Sequence, residues 1–178
     1  MYESERLRLR RVDPVHDLED RFRWMSDPEV TRYLGMRPAL LSRESIRSYL
    51  EQCANSADSS VEFAIETKEG KHIGGCTLRG FNHVSRSAEF AIVIGEERGK
   101  GYGTEVTKLM IDIAFGYFNL NRFWLTAYEP NVAAIRCYEK AGFVKEGILR
   151  EHVYMHGQYL NGVMMAVLRS DWERERAR

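Results

Sequence analysis

Arg98-Gly99-Lys100-Gly101-Tyr102-Gly103-Thr104 joins an apolar run, Glu89-Phe90-Ala91-Ile92-Val93-Ile94, to a long amphipathic pattern that starts near Thr104. Strand, glycine loop, helix start: that order makes a place for an anion. Glycines let the backbone turn tightly and bring its N–H groups close to a ligand. The first N–H groups of a helix lack an internal partner, and the helix dipole adds roughly half a positive charge there. A phosphate or pyrophosphate is the natural guest, with Arg98 and Lys100 beside it. The spacing is neither Gly-x-Gly-x-x-Gly nor Gly-x-x-x-x-Gly-Lys-Ser/Thr, which argues against dinucleotide and nucleoside-triphosphate loops. On these residues alone an ordinary strand-to-helix turn stays open as the other reading.

Outward from the loop, periodicity predicts the remaining elements. Val106, Leu109, Met110, Ile113, Ala114 and Tyr117 recur at helical spacing, as a core-facing stripe does. Arg6 to Val12 alternates as a first strand, and Asp13-Pro14 opens a helix that Asp27-Pro28 stops. A loop containing Pro38 leads to a second helix from Ser42, whose Ser42-x-x-Ser45 lacks the Glu of a full capping box. Val61 to Thr67, His72 to Arg79 and Ala88 to Ile94 read as strands, then Arg122 to Tyr128. Asn131 to Ala141 is a helix closed by Gly142, followed by strands Phe143 to Tyr154 and Leu160 to Leu168. The expected fold is α/β (α+β): one mixed, mostly antiparallel sheet of about seven strands flanked by about four helices. No linker or repeat interrupts residues 1–178, so a single domain is expected.

Bulk properties narrow the function. The chain has 178 residues, 44% hydrophobic, and its 26 Lys+Arg balance 26 Asp+Glu, so no global field attracts nucleic acid or an anionic membrane. Arg6, Arg8, Arg10 and Arg11 alternate with apolar residues and read as a solvated strand face. Cys53, Cys76 and Cys137 lie far apart, as suits reduced thiols in a cytoplasmic protein. The five histidines show no metal-ligand spacing, so no metal is expected.

Arg98-x-x-Gly101-x-Gly103 resembles the Arg/Gln-x-x-Gly-x-Gly/Ala signature of the GNAT N-acetyltransferases. A second stretch resembles the same family in order and spacing: Glu129-Pro130-Asn131-Val132-Ala133-Ala134-Ile135-Arg136-Cys137-Tyr138-Glu139-Lys140-Ala141-Gly142-Phe143. Ser4 to Arg10, Trp24 to Val30, Glu146 to Glu151 and Gly157-Gln158-Tyr159 are similar to the RimJ/RimL type of ribosomal-protein N-terminal acetyltransferase. That branch also holds spermidine and some antibiotic acetyltransferases. Asn161-Gly162 departs from it, since an acidic residue usually follows the turn there.

The resemblance implies a GNAT-like fold and acetyl-CoA as co-substrate, with Arg98, Gly99, Lys100, Gly101, Tyr102, Gly103 and Thr104 around its pyrophosphate. It implies that Ile92, Val93 and Ile94 end a splayed strand whose backbone bonds the pantetheine amides, one N–H polarising the thioester carbonyl. Asn131 is read as an N-cap, with an added bond to coenzyme A as the alternative. Tyr138 lies two turns on, and on spacing alone it reads as core. The resemblance makes it the general acid, and a phenol near pKa 10 stays protonated at pH 7. Glu89 is the candidate base, with a solvated charge at a strand start as the other reading.

The expected activity is N-acetyl transfer to a protein or peptide α-amine. Such an amine costs only about 1 kcal/mol to deprotonate at pH 7, against nearly 5 for a lysine-like amine. The alternatives are a polyamine or aminoglycoside acceptor, for which Glu44 and Glu51 supply carboxylates, and a non-catalytic coenzyme A sensor. Self-association as a homodimer is left open. Acceptor choice rests with loops around Met36, Gly80 and His156, which composition does not decode.

Overall fold

Leu7 and Leu9 alternate with arginines and are fully buried, and they set β2 (Leu7–Arg11) beside the short β1 (Tyr2–Glu3). The computed structural model describes residues 1–35, 41–55, 60–155 and 157–177. The expected Pro38 loop, Met36 and His156 therefore lie outside the described residues. After β2 come α1 (Leu18–Met25), α2 (Pro28–Thr31), α3 (Arg43–Asn55), β3 (Ser60–Thr67), β4 (His72–Asn82) and β5 (Ser87–Ile94). Then follow α4 (Tyr102–Asp112), a π turn (Ile113–Tyr117), β6 (Arg122–Tyr128), α5 (Val132–Ala141), β7 (Val144–Met155), β8 (Gln158–Leu168) and α6 (Arg169–Arg176).

The strands hydrogen-bond in the order β1-β2-β3-β4-β5-β6-β8-β7. β5 and β6 are parallel, while β1–β2, β2–β3, β3–β4, β6–β8 and β7–β8 are antiparallel. A parallel pair needs a crossover, and α4 with its π turn supplies it.

Three elements were not expected from the sequence. β1 has only two residues. α2 exists because Asp27 ends one helix and caps the next, its Oδ1 accepting from the Glu29 N–H at 2.8 Å with Pro28 at the first position. α6 buries no residue, so it leaves no apolar period to read. Trp172 Nε1 and Arg176 Nη1 tie it to Asp112 at 2.7 and 2.9 Å.

Two expectations at helix ends are corrected. Asp13 does not start α1: its Oδ1 accepts from the N–H groups of Val15 and His16 in a separate turn, and the helix begins at Leu18. Tyr117 is 71% exposed rather than core-facing, because the π turn inserts a residue and shifts the phase of the stripe. At α3 the capping box forms without Glu. Ser42 N–H donates to Ser45 Oγ at 2.9 Å and Ser45 N–H to Ser42 Oγ at 3.1 Å.

The chain forms two compact units, Met1–Arg79 with Ala91–Tyr102, and Gly80–Phe90 with Gly103–Arg178. In the first, Val12, Leu18, Trp24, Met25, Ile46, Leu50, Cys53 and Ala64 form one core, with Val93 packed against it. Each such large side chain contributes about 1.5–3 kcal/mol on burial. Inside this unit lies a buried carboxylate, Glu62, which faces Thr77 across the β3–β4 ladder. It accepts from Arg21 and from the Tyr49 hydroxyl, from Thr77 Oγ1 at 3.2 Å and from Cys53 Sγ at 3.4 Å. Burial, then the Glu62 charge, pushes the Cys53 thiol up to about 11, so it is no nucleophile at neutral pH.

The four arginines near the N-terminus lie on a partly solvated face, Arg6 and Arg11 exposed and Arg8 and Arg10 half-buried, and they also act as anchors. Arg10 grips Asp17 through both terminal nitrogens (2.9 and 2.6 Å) and Glu66 at 2.6 Å. Arg8 pairs with Glu3, Arg11 bonds the Ala54 carbonyl, and Arg6 reaches residue 100.

The second unit is organised by aromatic rings. Phe90, Phe123 and Phe143 have centroids 5.2–6.5 Å apart. α5 closes at Gly142, whose left-handed φ of 109° lets its N–H reach Glu139 O and the next N–H reach Tyr138 O. All three cysteines are free thiols.

Candidate active site

β5 ends in a bulge: the N–H groups of Gly95 and Glu96 both donate to the Ile73 carbonyl, at 2.8 and 3.1 Å. Gly95 lies against the buried Trp24 ring, where any side chain would collide. The chain then turns through Glu97, Gly99 and Gly101 with positive φ (57°, 82° and 82°), while Arg98 and Lys100 between them stay at ordinary φ. That alternation is the geometry of a nest, in which successive N–H groups converge on an anion. The run continues into α4, whose first-turn N–H groups have no helical partner.

The side chains of this loop are already engaged. Arg98 Nη1 donates to the Glu29 carbonyl at 3.2 Å. Lys100 pairs with Glu97, and Lys71 holds Glu97 and Glu96 at 2.7 and 3.0 Å. Lys100 first, then Lys71, holds the Glu97 carboxyl down to about 2. Arg6, which the sequence reading set aside as surface, donates from Nη1 to the Lys100 carbonyl at 3.1 Å, its guanidinium 4.7 Å from the Tyr102 ring centroid. Ninety-four residues separate Arg6 from Lys100, so no local signal could have joined them.

Ile92, Val93 and Ile94 are half-buried. The β5–β6 ladder pairs Ser87, Ala88 and Glu89 with Arg122, Phe123 and Trp124, and among the described residues it goes no further. Glu89 is half-buried at that last pair.

In the second unit, Asn131 caps α5, its Oδ1 accepting from the Ala134 N–H at 3.2 Å. Its side-chain N–H groups have no partner among the described residues. Tyr138 is half-buried, its ring 6.3 Å from Phe90 and 5.9 Å from Phe143. Its hydroxyl has no hydrogen-bond partner among the described residues. Burial, and secondarily Cys137, pushes the phenol above its usual value of 10, which keeps the proton on oxygen at neutral pH. Cys137 faces the start of α4, where Thr104 Oγ1 lies 3.4 Å from its sulfur. Gly103 and Thr104 are thus packed against α5 as well as leading out of the loop.

Glu44 and Glu51 stand exposed on α3, neither ion-paired among the described residues. Among the described residues no cluster of His, Cys, Asp or Glu could hold a metal, and no helix is long and apolar enough to cross a membrane.

Residues 6–144 match the acetyltransferase (GNAT) domain family. The spermidine N(1)-acetyltransferase of Escherichia coli K12 is 36% identical over 115 residues, which cover 64% of this chain and 61% of that relative. The match therefore spans less than two thirds of that relative's own length. The uncharacterized N-acetyltransferase p20 of Bacillus licheniformis is 30% identical across 95% of this chain and 96% of its own. The crystal structure of Vibrio cholerae spermidine N-acetyltransferase, in complex with CoA and spermine, has a TM-score of 0.88 at 27% identity, covering 96% of this chain and 99% of that one. These relatives are spermidine and uncharacterized acetyltransferases, not the RimJ/RimL type expected from the chain's ends. By its matched residues and by its mixed eight-stranded fold, the chain belongs to the acetyltransferase (GNAT) domain family.

Proposed function

We propose that the chain, acting as one domain, is an acetyl-CoA-dependent N-acetyltransferase whose acceptor is a polyamine such as spermidine. The carrying observation is the likeness, over nearly all of both chains, to an acetyltransferase solved with CoA and spermine. Glu44 and Glu51 support the acceptor, since exposed carboxylates with no ion pair among the described residues attract a polycation that a neutral net charge does not. The α-amine reading rests on the cheaper deprotonation of such an acceptor.

In this reading the nest from Glu97 to Gly101 and the start of α4 hold the donor's pyrophosphate through N–H groups. Arg98, Lys100, Tyr102, Gly103 and Thr104 frame it. The backbone of Ile92, Val93 and Ile94 bonds the pantetheine amides and polarises the thioester carbonyl. Asn131 caps α5 and offers its free amide N–H groups to the donor. The acceptor nitrogen forms the new N–C bond as the C–S bond breaks. Tyr138 gives its proton to the leaving thiolate, and Glu89, through water, takes the proton lost by the amine.

Thiol release from acetyl-CoA with spermidine, spermine, kanamycin and a lysine-dimethylated peptide bearing a free α-amine tests the proposal. Turnover is expected with the polyamines. Turnover confined to the peptide restores the α-amine reading. Coenzyme A binding with no turnover on any amine leaves a sensor.

A further inference from the structure

We propose that Arg6 is a positioning residue for donor binding, acting through the Lys100–Gly101 peptide group. This rests on the reading of the loop as the pyrophosphate site. Arg6 is itself held in place: its carbonyl accepts from the Lys68 N–H at 3.1 Å, and Leu7 beside it is fully buried and bonded to Ser4. From that fixed point its Nη1 donates to the Lys100 carbonyl, its guanidinium lies over Tyr102, and its Nη2 stands 3.7 Å from where a side chain on Gly101 would begin.

A trans peptide group is planar, with its C=O and N–H pointing in opposite directions. The Lys100 carbonyl points to Arg6, so the Gly101 N–H of the same peptide points away from it. A cation hydrogen-bonded to a carbonyl withdraws electron density from the group and strengthens its N–H as a donor. Arg6 thus fixes the orientation of one nest N–H and sharpens it, without having to touch the anion. Lys100 and Arg98 cannot do this, because they bond Glu97 and the Glu29 carbonyl.

Calorimetry with coenzyme A and steady-state kinetics test the proposal on Arg6→Ala, Arg6→Lys and Gly101→Val. Arg6→Ala should raise the Kd for coenzyme A and the KM for acetyl-CoA about fivefold to tenfold, as loss of one charge-assisted bond at an exposed position does. Its kcat should stay within about twofold, because the reacting atoms are not involved. Arg6→Lys keeps a charged donor and should recover part of the affinity. If Arg6→Ala fails to fold, Arg6→Lys and Arg6→Gln give the same ranking, the charged variant binding more tightly. Normal affinity in Arg6→Ala while Gly101→Val has lost binding overturns the Arg6 proposal alone. Normal affinity in Gly101→Val overturns the loop reading itself.

Discussion

Replacing Tyr138 by Phe separates chemistry from packing. The ring sits against Phe90 and Phe143 at 6.3 and 5.9 Å, and such aromatic pairs are each worth about 0.5–1.5 kcal/mol. Phenylalanine keeps both. The hydroxyl has no partner among the described residues, so removing it should change the unfolding free energy by less than about 0.5 kcal/mol. Tyr138→Ala, which deletes the ring, should cost about 3–5 kcal/mol. If the phenol protonates the leaving thiolate, Tyr138→Phe should lower kcat by about 10²–10⁴-fold, or roughly 3–5 kcal/mol on the barrier, with donor affinity unchanged.

The pH profile adds a second check. Burial raises the phenol above 10, so its protonated form survives and any alkaline fall in kcat caused by Tyr138 lies above pH 10. Urea unfolding, calorimetry and single-turnover kinetics read the three quantities. A kcat within about threefold of the parent when chemistry is rate-limiting makes Tyr138 a packing residue only. An alkaline limb near pH 8–9 that vanishes in the Phe variant would instead assign that titration to Tyr138 and overturn the upward push of burial on its phenol.

Arg21→Met should destabilise the first unit by about 3–5 kcal/mol in urea, since it strands the buried Glu62 carboxylate. The double variant with Glu62→Gln should cost clearly less than the sum of the two single changes, and additive costs would show that the pair is uncoupled. Gly95→Ala should lose about 1–3 kcal/mol, because its side chain must displace the buried Trp24; an unchanged Tm would contradict that packing. His72 is pushed below its usual 6.5 by burial, against the pull of Asp17 and Asp20, so the folded chain binds fewer protons than the unfolded one just below pH 6.5. Stability should therefore fall as pH drops through that window, by at most about 1.4 kcal/mol per pH unit for one proton. His72→Gln should flatten the slope, and an unaltered slope would remove His72 as its cause.

Local rules were enough wherever a residue's role is set by its neighbours in sequence. Asn131 caps α5 and Gly142 closes it because a short polar side chain and a left-handed residue are needed at those two places. Ser42 and Ser45 show the limit of pattern matching, for the reciprocal bonds form although the third residue is not Glu. Tyr117 was misplaced because nothing in Ile113 to Tyr117 announces a π turn. α6 was missed because it is held by polar bonds, from Trp172 and Arg176 to Asp112 and from Arg169 to Phe115, Asn119 and Leu120, instead of by an apolar stripe.

The sequence by itself determined the strand–loop–helix order around Arg98 to Thr104, the helix from Asn131 to Tyr138 and the class of mixed sheet. Those follow from periodicity and from what glycine, proline and asparagine permit the backbone to do. Only the tertiary structure decided which charges are spent and which are free. Lys100 looked available and is paired with Glu97, while Arg6 looked like a solvated charge and bonds the loop's carbonyl. Such pairings join residues brought together by strand register and loop closure, and the long side chains involved reach partners that sequence distance does not encode.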